Sequence, residues 1–287
     1  MIAATAWAQA PDSFQISVNV DLVVLQATVG GRGGSFPADL AAGDFTVFED
    51  GVKQSIKLFR HEDAPVTVGL VIDHSGSMRP KLPEVVAAAR SFVQSSNPHD
   101  EMFVVNFNDR VTIARGSAAP FLADGLERAI LGIPATGMTR LYDGLYDAQK
   151  QLESAATDKK ALIVISDGGD NASTQTLAQI LKKAESSSAL IYAIGIFDED
   201  DKDRNPDVLR RLARFTGGEA FFPAQLDQTV EICRRIAHDI RNQYTLGYVS
   251  TNTAQTGALR KIRVVAAAPG QGPLQVRTRS GYIAAAR

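Results

Sequence analysis

The chain has 287 residues, of which 45% are apolar and 22% charged, and its formal net charge is −2. This balance suits a globular protein long enough to bury a full core. It excludes a strongly basic nucleic-acid binder, and no stretch approaches the ~20 apolar residues that a membrane helix needs.

The chain opens on MIAATAWAQAPDSF. Ala8-Gln9-Ala10 before Pro11 has the small-residue pattern that ends a secretory signal peptide. Residues 1–14 are therefore expected to be a signal remnant or a disordered tail, which points to an extracytoplasmic protein. Residues 15–30 alternate apolar and polar in the manner of a strand, around Val18, Val20, Leu22 and Val24. A glycine-rich loop, Gly30-Gly31-Arg32-Gly33-Gly34, follows. FTVFEDGVKQSIKLFR, residues 45–60, reads as two short strands, with Asp50-Gly51 as a hairpin turn. The first 60 residues hold no segment of helical period.

From Val66 the pattern changes. VTVGLVI, MFVVNF, ALIVIS and ALIYAIGI are apolar strands, and VTIAR is a short one. Between and after them, residues 80–96, 120–132, 141–155, 174–187 and 226–241 read as helices. Asn205-Pro206 predicts an N-cap and first turn for VLRRLARF, which ends at Gly217-Gly218, and EAFFP follows as a strand. Apolar strands alternating with amphipathic helices predict an α/β fold with a doubly wound, mostly parallel sheet covered on both faces. After Asn242 the chain returns to strands in YTLGYVS, RKIRVVAAA and PLQVRTRSGYI, the last two separated by a turn at residues 269–273. The layout predicts an α/β domain, residues 65–241, inserted into a small β-domain built from residues 15–62 and 242–287.

The chemistry gathers at the ends of strands. Asp73 closes LVID, and Ser75 and Ser77 follow in Asp73-His74-Ser75-Gly76-Ser77. Asp167 closes ALIVIS in the same way. In open parallel sheets the carboxyl ends of strands border the ligand crevice, so neighbouring strands would bring both carboxylates to it. PATGMTRLYDGL, between them in sequence, adds Thr136 and Thr139 on a glycine-containing loop before a helix. Two carboxylates with several hydroxyls form a hard oxygen set suited to Mg²⁺ or Mn²⁺, with Ca²⁺ less well matched.

At these residues the chain resembles the von Willebrand factor A-type (VWA) domain and its metal-ion-dependent adhesion site, whose pattern is D-x-S-x-S, a distant Thr and a distant Asp. Gly137-Met138-Thr139-Arg140-Leu141 fits the G-x-T-x-L context of the family threonine, so the resemblance favours Thr139 over Thr136. It implies a Rossmann-like fold over about residues 65–240. It implies a metal set of Asp73, Ser75, Ser77, Thr139 and Asp167, with the hydroxyls as direct ligands and the aspartates holding coordinated water. Neutral hydroxyls leave a cation incompletely neutralised, so it seeks a further anionic oxygen, typically the Asp or Glu carboxylate of a protein partner. The flanking VDLVVLQATV, DFTVFEDGVKQSI, QYTLGYVS and VRTRSGY extend the resemblance to secreted acidobacterial VWA-containing proteins.

Other readings are weaker. Ser75 or Ser77 alone would serve as a helix cap. An aspartyl-phosphate phosphatase needs an acid two residues after its nucleophile, where this chain has Ser75. There is no G-x-S-x-G, and HEDAP at residues 61–65 lacks the second histidine of a zinc-protease helix. The acidic run at residues 198–207 lacks the glycine and terminal glutamate of an EF-hand and reads as a solvated loop. His74 is expected to be an exposed loop residue, and the single cysteine, Cys233, a buried hydrophobe. The expected function is non-enzymatic, metal-dependent protein binding. The alternative is a scaffold of a secreted or envelope assembly in which the metal only stabilises the fold.

Overall fold

The computed structural model describes residues 22–30, 40–115, 123–197, 204–253, 257–268 and 274–284. The expected signal remnant, the start of the first strand, the loop at 31–34, the start of the helix expected at 120, most of the acidic run and the turn at 269–273 lie outside the described residues.

The N-terminal strands are β1 (Leu22–Gly30), β2 (Phe45–Glu49), β3 (Val52–Gln54) and β4 (Ile56–His61). The stretch read as two strands is thus three. Asp50 and Gly51 both take positive φ, 48° and 84°, as a tight two-residue turn between β2 and β3 demands. At Ser55 the chain then changes sheet. The α/β region contains β5 (Val66–Asp73), α1 (Leu82–Ser95), β6 (Glu101–Phe107), β7 (Val111–Arg115), α2 (Ala123–Leu131) and α3 (Leu141–Glu153). It continues with β8 (Lys159–Ser166), α4 (Leu177–Ser186), β9 (Leu190–Gly195), α5 (Pro206–Thr216), β10 (Ala220–Phe221) and α6 (Gln228–Arg241). The chain ends in β11 (Tyr244–Val249), β12 (Leu259–Ala266), β13 (Gln275–Arg277) and β14 (Gly281–Ile283).

Among the described residues these strands form three sheets. The central one has the order β10-β9-β8-β5-β6-β7 and is parallel except for the antiparallel edge strand β7. Strand order reverses at β5, which pairs with β6 on one side and β8 on the other, so the ends of β5 and β8 lie side by side. Strands inside a two-faced sheet are apolar throughout, and every residue of β5 is buried. On one face Val68, Leu70 and Ile72 pack with α1, α2 and α6, through Val85, Phe92, Leu126 and Ile236. On the other, Val71, Val105 and Val164 pack with α3, α4 and α5, through Leu145, Ile180 and Leu209.

Strands from both chain ends form two four-stranded antiparallel sheets, β13-β1-β11-β4 and β14-β12-β2-β3. Their shared core joins Leu25, Ala27, Phe45 and Val47 to Tyr244, Leu246, Tyr248, Ile262 and Val264. β12 alternates exposed and buried residues along its whole length, as a strand with one solvated face must. Glu49, 1% exposed, is held at this core by the hydroxyls of Tyr248 (2.7 Å), Ser250 (2.6 Å) and Tyr282 (3.0 Å). A buried carboxylate is retained when its lone pairs are filled in this way.

Candidate metal centre

Asp73, Ser75, Ser77 and Asp167 come together at the carboxyl ends of β5 and β8. The Asp73 carboxylate accepts hydrogen bonds from the Ser75 backbone N–H at 2.8 Å and from the Ser166 hydroxyl at 2.7 Å. Asp167 accepts from the Ser77 hydroxyl at 2.8 Å and from the Gly169 N–H at 3.0 Å. The two serine hydroxyls lie 3.1 Å apart and complete a chain of oxygens from β5 to β8. Asp73, Ser75 and Asp167 are buried, whereas Ser77 is half-buried and Gly76 exposed, so solvent reaches the cluster from the side of Gly76 and Ser77. Burial and the Asp167 charge push the Asp73 carboxyl up to about 6, against the hydrogen bonds from Ser166 and Ser75.

The 3-10 turn Gly76–Lys81 leads from these serines into α1. Neither serine caps it: Ser75 occupies the N-cap position with no capping hydrogen bond from its side chain. The simple capping explanation of the D-x-S-x-S stretch therefore does not hold.

Thr139 is buried at the entrance to α3, and Thr136 is exposed. The loop that carries both is fastened to the Asp73 loop through Thr136 N–H to His74 C=O (2.9 Å) and Gly76 N–H to Gly137 C=O (3.3 Å). Three residues that sequence reasoning missed fix its shape. Asp109, in the β6–β7 turn, accepts from Met138 N–H at 2.9 Å. Asn171 accepts from Thr139 N–H at 2.9 Å, and its own N–H returns to the Thr139 carbonyl at 3.1 Å. Asp170 accepts from Tyr142 N–H at 3.0 Å. Ser166 was legible in principle, as a hydroxyl at the end of an apolar run beside Asp167. Asp109 and Asn171 lie in turns whose partners only the fold brings near.

His74 is a correction. It is fully buried, not exposed, because its N–H donates to Phe107 C=O at 2.7 Å and draws the residue inward beside β6. Burial lowers its ring to about 4, a neutral imidazole. Cys233 packs in the core as expected, and burial pushes its thiol up to about 12.

The donor set fits a hard divalent cation. It offers two carboxylates and small hydroxyls, and a cation would offset the burial of Asp73 and its repulsion by Asp167, which together raise its carboxyl. Among the described residues no group of three or more His, Cys, Asp or Glu side chains is gathered for a metal, so a cation here would draw further ligands from the hydroxyls.

A doubly wound α/β domain with a cluster of hydroxyl and carboxylate oxygens at its strand-order reversal is the class that fold and site define. The sequence model of the family described as von Willebrand factor type A domain matches residues 67–235, and the chain belongs to that family. Its domains are modules of protein interaction and adhesion. No curated protein matches the chain. Among solved structures it is similar to a von Willebrand factor type A protein from Catenulispora acidiphila, at 15% identity and a TM-score of 0.54, covering 95% of this chain and 76% of that one. It is also similar to proximal thread matrix protein 1 from the mussel byssus, solved with a zinc-occupied adhesion site, at 17% identity and a TM-score of 0.52, covering 66% and 48%. A third is the domain of the type V pilus tip protein Mfa5 from Porphyromonas gingivalis, at 15% identity and a TM-score of 0.50, covering 62% and 95%. At these identities the likeness concerns the fold. No helix among the described residues is long and apolar enough to cross a membrane.

Proposed function

We propose that the chain is a metal-dependent protein-binding module that works outside the cytoplasm, with no catalytic role. Ser75, Ser77 and Thr139 hold a divalent cation, Mg²⁺ first and Mn²⁺ or Ca²⁺ as alternatives, while Asp73 and Asp167 anchor its waters. When bound, the cation supplies an incompletely neutralised charge that attracts an Asp or Glu carboxylate from a partner. The remaining chemistry belongs to the chain. Ser166 and the Ser75 N–H orient Asp73, the Gly169 N–H orients Asp167, and Asn171 fixes the backbone of Thr139. The observation that carries this reading is the continuous run of oxygens Ser75–Ser77–Asp167 across the ends of two adjacent parallel strands. The zinc-occupied adhesion site of the mussel protein and the pilus-tip relative support it by analogy. Residues 65–241 form the inserted binding domain in this reading, and the β-segments at 15–62 and 242–287 support it.

The test is calorimetric titration of Mg²⁺ and Mn²⁺ into the wild type, Asp73→Ala and Ser75→Ala/Ser77→Ala, with circular dichroism to confirm folding. The expected result is saturable one-site binding that both variants lose. A well-folded wild type that binds neither cation, alone or with a glutamate peptide present, would sink the reading. The closed hydrogen bonding of the site favours one alternative, a scaffold in which metal only stabilises the fold. Metal binding without metal-dependent capture of immobilised acidic peptides would select it.

A further inference from the structure

On the far side of the sheet from α6, α5 and the turn before β14 border a shallow, open groove of about 350 Å³ lined by Asp207, Arg210, Arg211, Arg214, Phe215 and Ser280. One wall is rigid, because both the N–H and the hydroxyl of Ser280 donate to the Phe215 carbonyl at 3.1 Å. The groove therefore belongs jointly to the α/β region and to the C-terminal strands.

Exposed arginines are common, and one in the last turn of a helix, as Arg214 is, gains from the helix dipole. Arg263 on β12 is likewise exposed without an ion pair among the described residues and lies over the Phe48 ring, but on α1 and α6, the helices of the opposite face, every arginine is paired. Arg90 pairs with Glu127, Arg234 with Glu231, Arg235 with Glu219 and Arg241 with Asp63. In the groove Asp207 pairs with Arg210 at 2.9 Å, and that guanidinium also lies 4.4 Å from the centre of the Phe222 ring. Arg211 and Arg214 are exposed and have no ion-pair or hydrogen-bond partner among the described residues. Three apart on one helix, they sit about one turn from each other, and two like charges at that spacing repel. Phe215, half-buried between them and Ser280, adds an apolar surface.

We propose that this groove binds an acidic polypeptide segment of a partner protein, with carboxylates on Arg211 and Arg214 and an apolar side chain against Phe215. Guanidinium forks match carboxylates in two-point hydrogen bonds, which favours this pairing. A polypeptide fits better than nucleic acid or a sulfated saccharide. The excess charge is confined to two residues in a chain of net charge −2, and long polyanions need an extended basic track. Arg211 and Arg214 lie beyond the first turn of α5, whose N-cap residue Asn205 donates its N–H to the Asp167 carbonyl at 3.0 Å, and neither arginine is among the residues of the metal centre.

Fluorescence anisotropy with a labelled decapeptide of alternating glutamate and leucine tests the proposal, in excess chelator so that the metal centre takes no part. Saturable binding is expected, weakened at least tenfold in R211Q/R214Q and less than twofold in R263Q on the β-sheets. No binding to the wild type, or equal loss in R263Q, would overturn it. A heparin decasaccharide that binds more tightly with the same arginine dependence would also overturn it, by making the surface a polyanion site. Circular dichroism of each variant keeps misfolding from passing for loss of binding.

Discussion

Ser77 and Asp167, ninety positions apart in the chain, are joined by a 2.8 Å hydrogen bond from the serine hydroxyl to the aspartate carboxylate. This bond ties the ends of β5 and β8 and marks where a cation would displace a proton-bridged contact. A ligand that binds only the folded state stabilises it by about 2.7 kcal/mol at one hundred times its dissociation constant. Wild-type protein should therefore melt at a higher temperature as Mg²⁺ or Mn²⁺ is raised, and chelator should reverse the gain. In Ser77→Ala the gain should shrink or vanish while the melting temperature without metal moves little. An equal metal-induced shift in the variant would place the cation elsewhere.

Gly137 supplies the sharpest test of the threonine loop. Its φ is +83°, and an added Cβ would lie 1.9 Å from an Asp109 carboxylate oxygen. Strain at such a φ costs on the order of 1–3 kcal/mol, and the carboxylate would have to leave the Met138 N–H as well. Gly137→Ala should lower stability in urea by about 2 kcal/mol and weaken metal binding more than tenfold. Asp109→Asn, which keeps an acceptor oxygen for Met138, should retain most of the metal affinity that Asp109→Ala loses. If the alanine variant binds metal as wild type does, Asp109 plays no part in positioning Thr139.

Asp143 gives a pH dependence with a definite sign. Burial alone would raise its carboxyl, but hydrogen bonds from Gln175 N–H (2.9 Å), Thr174 N–H (3.0 Å) and the Thr174 hydroxyl (3.0 Å), with Arg140 nearby, carry it below the usual range. The folded-state pKa lies below the unfolded value of about 3.9. Its stabilisation is thus full above that value and is lost as pH falls through the folded pKa. Asp143→Asn should cost about 1–3 kcal/mol at neutral pH, and the deficit should narrow below about pH 4. Urea unfolding of both proteins from pH 7 to pH 3 measures this, and a constant deficit would show that the charge of Asp143 is irrelevant.

The fold was legible where local pattern and tertiary role agree. The apolar runs ending in Asp73 and Ser166 are buried on both faces, and Asn205 caps α5 with its side chain accepting from Val208 N–H. Reading failed where one extended stretch serves two sheets. PLQVRTRSGYI reads as a single strand, yet β13 pairs with β1 and β14 with β12. The break comes from contacts distant in sequence: the Thr278 hydroxyl donates to Gln26 C=O at 2.8 Å, and Ser280 reaches α5. The same limit hid the burial of His74, which rests on β6. Spacing exposed the acids and hydroxyls of the site, but not Asp109 or Asn171, because their roles lie in backbone contacts between loops.

The last helix is fastened to the C-terminal strands by Asp239 and Arg277. Asp239, on the core side of α6, is fully buried, and its carboxylate pairs with the Arg277 guanidinium of β13. Arg277 also reaches Glu219 at 2.5 Å, while Glu219 keeps Arg235 as a second partner. Loss of Arg277 would therefore isolate Asp239 far more than Glu219. Removing one member of a buried pair costs about 3–5 kcal/mol, because the other charge stays buried without compensation, whereas replacing both with apolar residues can be close to neutral. Arg277→Met should thus be severely destabilised in urea, and Arg277→Met/Asp239→Leu should recover most of the loss. The double-mutant cycle separates this coupling from simple packing. If the two single losses instead add, the pair does not hold α6 to the strands, and the contacts of the β-core alone must do so.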